Sequence, residues 1–321
     1  MRTQPVTRFS SFVAINALIA AFLVAAPVNA RAQQATDIGS RDMQDSTLFR
    51  SRPATKRAKE PKARRYRRSG TTVDSRDKTA AMDPEIGLTI WRLRPSLPGD
   101  PRDIVHEATA TSTALTPVRL TGEDRLSVGE NFRFAIESST RGYLYVVNRP
   151  MYDAGPPRDP YLIFPTRRIR GGENAVSGGQ VVELPTPFDS PPQFTISQRG
   201  DARLIAEEVI VLVTPKPLEL EIGPDPLRLS SDTVDEWERR WGRPVERFEY
   251  ESGDGMLYTA EEKAARLNPR YRISRDGPAP QVLFRIPAGQ KSPVFLRITI
   301  SVRQPDTSVT SRPGNSLQPT P

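Results

Sequence analysis

Proline is the residue that most restricts the fold of this chain, because 32 of its 321 residues are proline. The usual share of proline is roughly 5%, so its density here is about twice the ordinary one. Proline cannot donate the backbone hydrogen bond of a helix, and its ring clashes with the preceding turn. A mostly helical fold is therefore disfavoured, and short strands joined by turns are favoured.

Apolar residues alternate with polar ones in many short segments between residues 85 and 303. Such alternation is typical of half-buried strands, whereas the segment 208–213 is apolar on both faces and predicts a central, covered strand. Many short strands predict a mainly β fold, a sandwich-like antiparallel domain. The segments 131–137 and 142–148 predict a hairpin. The predicted strands are 86–93, 131–137, 142–148, 161–165, 180–185, 193–197, 208–213, 281–286 and 294–302.

Two short helices are predicted within this domain. The first begins after Ser230 and ends before Gly242, and the second begins at Thr259 with the capping box that Glu262 completes. In the first helix, Val234, Trp237 and Trp241 share one face. This stripe indicates packing against a sheet, with a carbohydrate-stacking platform as the alternative.

The first 32 residues have the layout of a secretory signal peptide. Arg2 and Arg8 precede an apolar run that is a little short for a membrane span, and small residues before position 33 suggest cleavage after Ala30 or Ala32. An uncleaved anchor is the alternative. Either way, we expect an exported protein, periplasmic or secreted, with no integral membrane span after leader cleavage.

The net charge of +8 is unevenly distributed along the chain. Residues 33–85 contain 13 basic and 8 acidic residues, whereas residues 86–321 contain 30 of each. Few apolar residues occur in 33–84, so this segment is predicted to be a disordered basic linker, and 304–321 a disordered tail. The charge-balanced domain and the leader disfavour a nucleic-acid partner.

The densest basic stretch, 56–68, contains eight basic residues and one acid. Its candidate ligand-binding residues are Arg64, Arg65, Arg67 and Arg68. They predict contact with an anionic envelope polymer, with lipid headgroups or with an envelope protein. A self-repelling, solvated spacer is the alternative.

A second candidate anion site follows the predicted strand 161–165. Arg167, Arg168 and Arg170 precede Gly171 and Gly172. Successive amides in a glycine-rich turn can bind an anion, and arginine side chains would add to that site. A solvated loop tip is the alternative.

The composition excludes several chemistries. The chain has no cysteine and one histidine, His106, and it lacks the G-x-S-x-G motif of a nucleophile elbow. Glu207 and Glu208 are adjacent on a predicted strand, so their side chains should point to opposite faces rather than form a catalytic pair. No catalytic residue, metal site or cofactor is predicted.

A series of strand and turn sequences lies between residues 123 and 214. They are GYLYVVN at 142–148, LIFP at 162–165 and NAV at 174–176, with Gly178, Gly179, Pro185, Phe194 and the strand 209–213. On these residues the segment resembles domain-of-unknown-function family 4384. The resemblance implies a β-rich domain within a longer exported bacterial protein, and it supplies no catalytic residues.

The sequence therefore predicts a non-enzymatic, exported binding or scaffolding module of the bacterial cell envelope. A carboxylate-dependent hydrolase of envelope polymers is the alternative.

Overall fold

The computed structural model describes residues 41–43, 46–54, 64–69, 83–101, 106–107, 114–120, 124–156, 158–252, 255–268, 271–287 and 293–304. The side chains of residues 41, 42, 106 and 107 are not included. The predicted signal peptide, 1–32, and residues 305–321 of the predicted tail lie outside the described residues.

Strands dominate this part of the chain, as the sequence predicts. The described residues form three α-helices, which are α1 (Thr47–Ser51), α2 (Ser231–Trp241) and α3 (Ala260–Leu267). The strands, in chain order, are β1 (Arg41–Asp42), β2 (Arg65–Ser69), β3 (Glu85–Pro95), β4 (His106–Glu107), β5 (Ala114–Arg119), β6 (Leu126–Ser127), β7 (Asn131–Ser138), β8 (Gly142–Tyr152), β9 (Tyr161–Phe164), β10 (Ala175–Val176), β11 (Gln180–Leu184), β12 (Phe194–Thr195), β13 (Leu204–Thr214), β14 (Leu227–Arg228), β15 (Glu246–Tyr250), β16 (Val282–Arg285) and β17 (Val294–Arg303).

These strands form two sheets. In the first sheet the order is β1–β2–β15–β16–β3; β16 and β5 share one edge of β3, and β7 pairs with the other. Strand β4 pairs with β5, and β11 and β12 pair with β7. The second sheet has the order β14–β9–β8–β13–β17–β6, with β10 paired to β8. The described pairs are antiparallel except β17 with β6.

The main core lies between the inner faces of the two sheets. Phe134 and Ile136 of β7 belong to the same buried cluster as Val146 of β8 and Val211 of β13. Strand β13 lies between β8 and β17 and is buried on both faces, which confirms the prediction of a central, covered strand. The sandwich therefore follows from period-2 patterns that bring apolar faces together.

The predicted hairpin of 131–137 and 142–148 is wrong. Strand β7 pairs with β3, β11 and β12 in the first sheet, whereas β8 pairs with β9, β10 and β13 in the second. The short connection between them crosses from one sheet to the other. Both strands then place apolar residues in the same core from opposite sides, and a flat hairpin would not do so.

Helix α2 covers the outer face of the second sheet. Ser230 caps its first turn, as predicted. Val234 and Trp237 pack against Phe295 and other outward-facing residues of β8, β13 and β17. Trp241 stacks on Trp237, with 6.3 Å between ring centroids. The tryptophan stripe therefore packs against the sheet, as the sequence indicates.

Part of the predicted linker is folded. Helix α1 places Leu48 and Phe49 in a buried cluster, and β2 adds Tyr66; all three side chains are fully buried. Strand β2 pairs with β15, and the Leu48 amide donates to a carboxylate oxygen of Glu85 at 2.9 Å. The prediction that 33–84 is disordered is therefore wrong for 41–43, 46–54, 64–69 and 83–84. Residues 33–40, 44–45, 55–63 and 70–82 lie outside the described part.

Internal partners explain how this basic segment becomes buried. The Arg52 guanidinium donates to both carboxylate oxygens of Glu137 at 2.7 Å, and neither side chain is more than 2% exposed. Arg64 lies over the Phe49 ring at 4.1 Å. A charge that has a partner of this kind can be buried, whereas composition alone counts it as solvated.

A second buried charge cluster lies on the outer face of the first sheet, under α3. The Tyr258 hydroxyl donates to Glu183 at 2.7 Å, and the Arg133 guanidinium lies 3.5 Å from the same oxygen. Burial raises the pKa of Glu183 to about 7, although Arg133 and Arg266 act in the opposite direction.

The cap of α3, made by Thr259 and Glu262, has the predicted capping box.

Candidate ligand-binding site

The four predicted binding residues of the basic segment are mostly engaged within the fold. Arg64 is buried, and its guanidinium donates to the Gly277 carbonyl at 3.0 Å. Arg68 contacts Glu246 at 2.6 Å, and Arg67 lies 3.6 Å from a carboxylate oxygen on the same strand, β15. Arg65 is exposed. This segment therefore acts in part as a strand whose charge is balanced by the acidic β15.

The predicted anion loop also has internal partners. Asp189 accepts hydrogen bonds from the amides of Arg170 at 2.8 Å and Thr186 at 2.6 Å, so a carboxylate of the chain itself occupies the turn. Arg167 donates to a backbone carbonyl, and Arg168 pairs with an exposed aspartate at 3.2 Å. The two arginine sets belong to different sheets, and the structure does not bring them together.

A cleft at one end of the sandwich is a stronger candidate. It has a volume of about 360 Å³ and lies between β7 and β12 of the first sheet and β8, β9 and β13 of the second. We call it the aromatic cleft, because five aromatic side chains line it. They are Phe132, Phe134, Tyr152, Tyr161 and Phe194.

The aromatic wall on the first sheet is preorganised. Phe194 of β12 lies opposite Phe132 of β7 in the register, and these rings with Phe134 have centroid separations of 5.2–5.8 Å. Phe132 and Phe134 are buried, whereas Phe194 is half-buried. Mutual packing holds the rings in place before a ligand arrives.

The polar end of the aromatic cleft consists of Asn148 and Glu207. Their side chains point to the inner face of the second sheet, as do those of Val146 on β8 and Val209 on β13. Because alternate residues of a strand share a face, this face is apolar at Val146 and Val209 and polar at Asn148 and Glu207. Asn148 Nδ2 donates to Glu207 Oε2 at 2.9 Å. Glu207 is only 7% exposed.

The second carboxylate oxygen of Glu207 has no protein partner within the described parts of the chain. There, Oε1 accepts no hydrogen bond, and no arginine or lysine forms an ion pair with the carboxylate, which lines the cleft. Burial raises the pKa of Glu207, whereas the Asn148 hydrogen bond and the more distant charge of Arg199 oppose the shift. A buried carboxylate with one neutral partner is costly unless a ligand completes it.

Two exposed arginines lie at the rim of the aromatic cleft. Arg199 is exposed, and its amide donates to the Tyr152 hydroxyl at 3.3 Å. The guanidinium of Arg158 lies over the Tyr152 ring, 5.2 Å from its centroid. The cleft is therefore apolar along its walls, acidic at its buried end and basic at its mouth.

Sequence reasoning missed this site, although a signal was present. Glu207 and Glu208 do point to opposite faces, as predicted, and Glu208 pairs with Arg149 at 2.6 Å and Arg297 at 3.0 Å on the outer face. Asn148 and Glu207 each interrupt an inward-facing apolar series. A polar residue in such a series marks a functional position more often than a surface one does.

A larger cavity of about 710 Å³ lies elsewhere between the sheets, beside Leu88, Phe284 and Ile298. Arg247 and Arg297 also line it, and both have carboxylate partners, Glu249 for the first and Glu208 for the second. The Nε atoms of both arginines are buried without a hydrogen-bond partner, but each guanidinium has a carboxylate counter-ion among the described residues, whereas Glu207 has no cationic one there.

Within the described segments, no group of three or more acidic or histidine side chains is placed to hold a metal ion. The helices of the described chain are too short or too polar to cross a membrane. Comparison with known proteins gives no matching family model, no matching curated protein and no matching solved structure. The resemblance to domain-of-unknown-function family 4384 therefore stays a prediction.

Proposed function

We propose that this chain is a non-enzymatic, exported binding module of the bacterial cell envelope, and that its ligand occupies the aromatic cleft. The observation that carries the proposal is the buried Glu207 carboxylate, which has no cationic partner among the described residues and faces a preformed aromatic space. Binding sites typically combine mostly apolar walls with a few fixed polar groups, and their volumes begin near 300 Å³.

The predicted leader supports export, and it is the reason to place the module in the envelope. The alternative, a carboxylate-dependent hydrolase of envelope polymers, receives less support from the geometry. Glycoside hydrolysis normally uses two facing carboxylates. Among the described lining residues of the aromatic cleft, Glu207 is the only carboxylate, and Glu208 lies on the opposite face of β13.

Blocking the aromatic cleft should abolish envelope binding. Thr195 lines the cleft and is exposed, so Thr195→Trp fills the mouth without removing a core ring. Phe194→Ala removes part of the wall itself. We expect each variant of the full chain to lose at least about tenfold in retention on isolated envelope fractions, because a large aromatic contact in a pocket typically contributes about 2 kcal/mol or more.

Phe188→Ala is the matched control, because it makes the same chemical change at a side chain that is 74% exposed and outside the cleft. Retention should be unchanged in this variant, and circular dichroism should show that all variants fold. Retention that survives both cleft variants but is lost on Arg65→Ala would contradict the proposal and assign binding to the basic strand.

A further inference from the structure

Two acceptor atoms at the buried end of the aromatic cleft have no partner among the described residues. They are Glu207 Oε1 and Asn148 Oδ1, and one of the two N–H groups of the Asn148 amide already donates to Glu207. The Tyr152 and Tyr161 hydroxyls line the cleft as well and can donate. A donor group on a ligand that reaches this end would therefore find both acceptors available.

The negative charge of Glu207 favours a cationic donor on the ligand over a neutral one. A carboxylate that is 7% exposed and has only an amide partner carries a large desolvation cost, which a cationic donor offsets and a neutral hydroxyl does not. Burial raises the pKa of Glu207, which is consistent with a carboxylate that lacks its counter-ion. A cation also gains from the faces of the surrounding aromatic rings.

The apolar walls of the aromatic cleft indicate which chemical group would connect the donor to the rest of the ligand. Phe194, Tyr161 and Ile163 line the same cleft as Glu207. These walls favour an apolar arm rather than a second polar group. Arg199 at the mouth is the one charged residue of the described lining besides Glu207, and it disfavours a ligand whose outer end is also cationic.

Resting on the proposed function, we propose that the aromatic cleft binds a primary ammonium group carried on an apolar arm. The ammonium donates to Glu207 Oε1 and Asn148 Oδ1, and the arm lies against the aromatic walls. A lysine-like side chain or an alkylamine substituent of an envelope component has this chemistry.

The test titrates the full chain with n-butylammonium chloride at constant ionic strength and follows the side-chain amide signal of Asn148 by NMR. We expect saturable binding, with n-butanol at least about tenfold weaker, because the alcohol has the same arm without the charge. We also expect tetramethylammonium, a cation without donor hydrogens, to bind more weakly than n-butylammonium.

Glu207→Gln should weaken n-butylammonium binding at least about tenfold, since glutamine keeps the shape and removes the charge. Asp201→Asn is the matched control, because it removes an exposed carboxylate six positions away. Equal binding of butanol and butylammonium to the unmodified chain would overturn the inference, and so would tetramethylammonium binding as tightly as butylammonium or a Glu207→Gln variant with unchanged affinity.

The two proposals fail separately. Envelope retention that depends on the aromatic cleft but is not competed by n-butylammonium keeps the proposed function and rejects the ammonium ligand. If the cleft variants are retained on envelope fractions as strongly as the unmodified chain, the proposed function is rejected, whatever the cleft binds in the NMR titration.

Discussion

Replacing Arg52 with alanine should lower the free energy of unfolding by about 3–5 kcal/mol. The Arg52 side chain is 1% exposed and forms a two-pronged ion pair with Glu137, which is 2% exposed. It also donates to the Pro278 carbonyl at 2.9 Å. Truncation leaves the Glu137 carboxylate buried without its counter-ion, and that desolvation is the source of the loss. Urea denaturation measured by tryptophan fluorescence gives the value directly.

Arg50→Ala is the matched control, because Arg50 lies in the last turn of α1, two positions before Arg52, and is exposed. This substitution should change the free energy of unfolding by no more than about 0.5 kcal/mol, as most surface substitutions do. The double variant Arg52→Ala, Glu137→Ala should be less destabilised than the two single effects added together, since the second change removes the stranded charge. A loss below about 1 kcal/mol for Arg52→Ala would mean that 46–54 is not part of the fold.

Stability should fall as the pH rises from about 5 to 8 because of Glu183. Burial raises its pKa from 4.5 to about 7, so the folded state binds this proton more tightly than the unfolded state. The resulting stabilisation is complete below the unfolded pKa and is lost as the pH rises through the folded pKa. This difference between the unfolded and folded pKa of Glu183 corresponds to about 3 kcal/mol in the free energy of unfolding.

The measurement compares urea unfolding of the unmodified chain and Glu183→Gln at both pH values. Glutamine is neutral throughout and keeps an oxygen for the Tyr258 hydroxyl, so the variant should be about as stable at pH 5 and more stable at pH 8. Glu173→Gln, a change at an exposed carboxylate, should leave the pH dependence unaltered. A stability difference that is constant with pH would contradict the assignment. A difference that grows in favour of glutamate would show that Arg133 and Arg266 outweigh burial.

Local patterns predicted most of the longer elements of this fold, although they missed α1, β2, β5 and β15. The strands from 86–93 to 294–302, the caps at Ser230 and Thr259, and the inward face of Trp237 all follow from spacing and end chemistry. These features depend on residues a few positions apart, and a single sequence contains that information.

Long-range pairing is where the sequence prediction was wrong or silent. The connection after β7 has the length of a hairpin, and only the partners of each strand reveal that it joins two sheets. The basic segment was predicted to be solvated because the carboxylates that neutralise its arginines, Glu137 and Glu246, lie far along the chain. Leu48, Phe49 and Tyr66 were the apolar residues in it that indicated a core contribution.

The aromatic cleft depends on the same kind of information. Its walls come from β7, β8, β9, β12 and β13, and no local pattern places Phe194 near Glu207. The predicted sites were instead arginine clusters, which are visible as runs in the sequence. In the fold, several of those arginines have internal partners, whereas the buried Glu207 carboxylate has no charged partner in the part of the chain that the structure describes.

Photocrosslinking in cells tests most directly whether the aromatic cleft is the binding site. Benzoylphenylalanine is placed at Thr195, an exposed residue that lines the cleft, and in a separate chain at Arg65, an exposed arginine of β2. We predict an adduct with an envelope component from position 195 and none from position 65. An adduct from position 65 with none from position 195 would contradict the account.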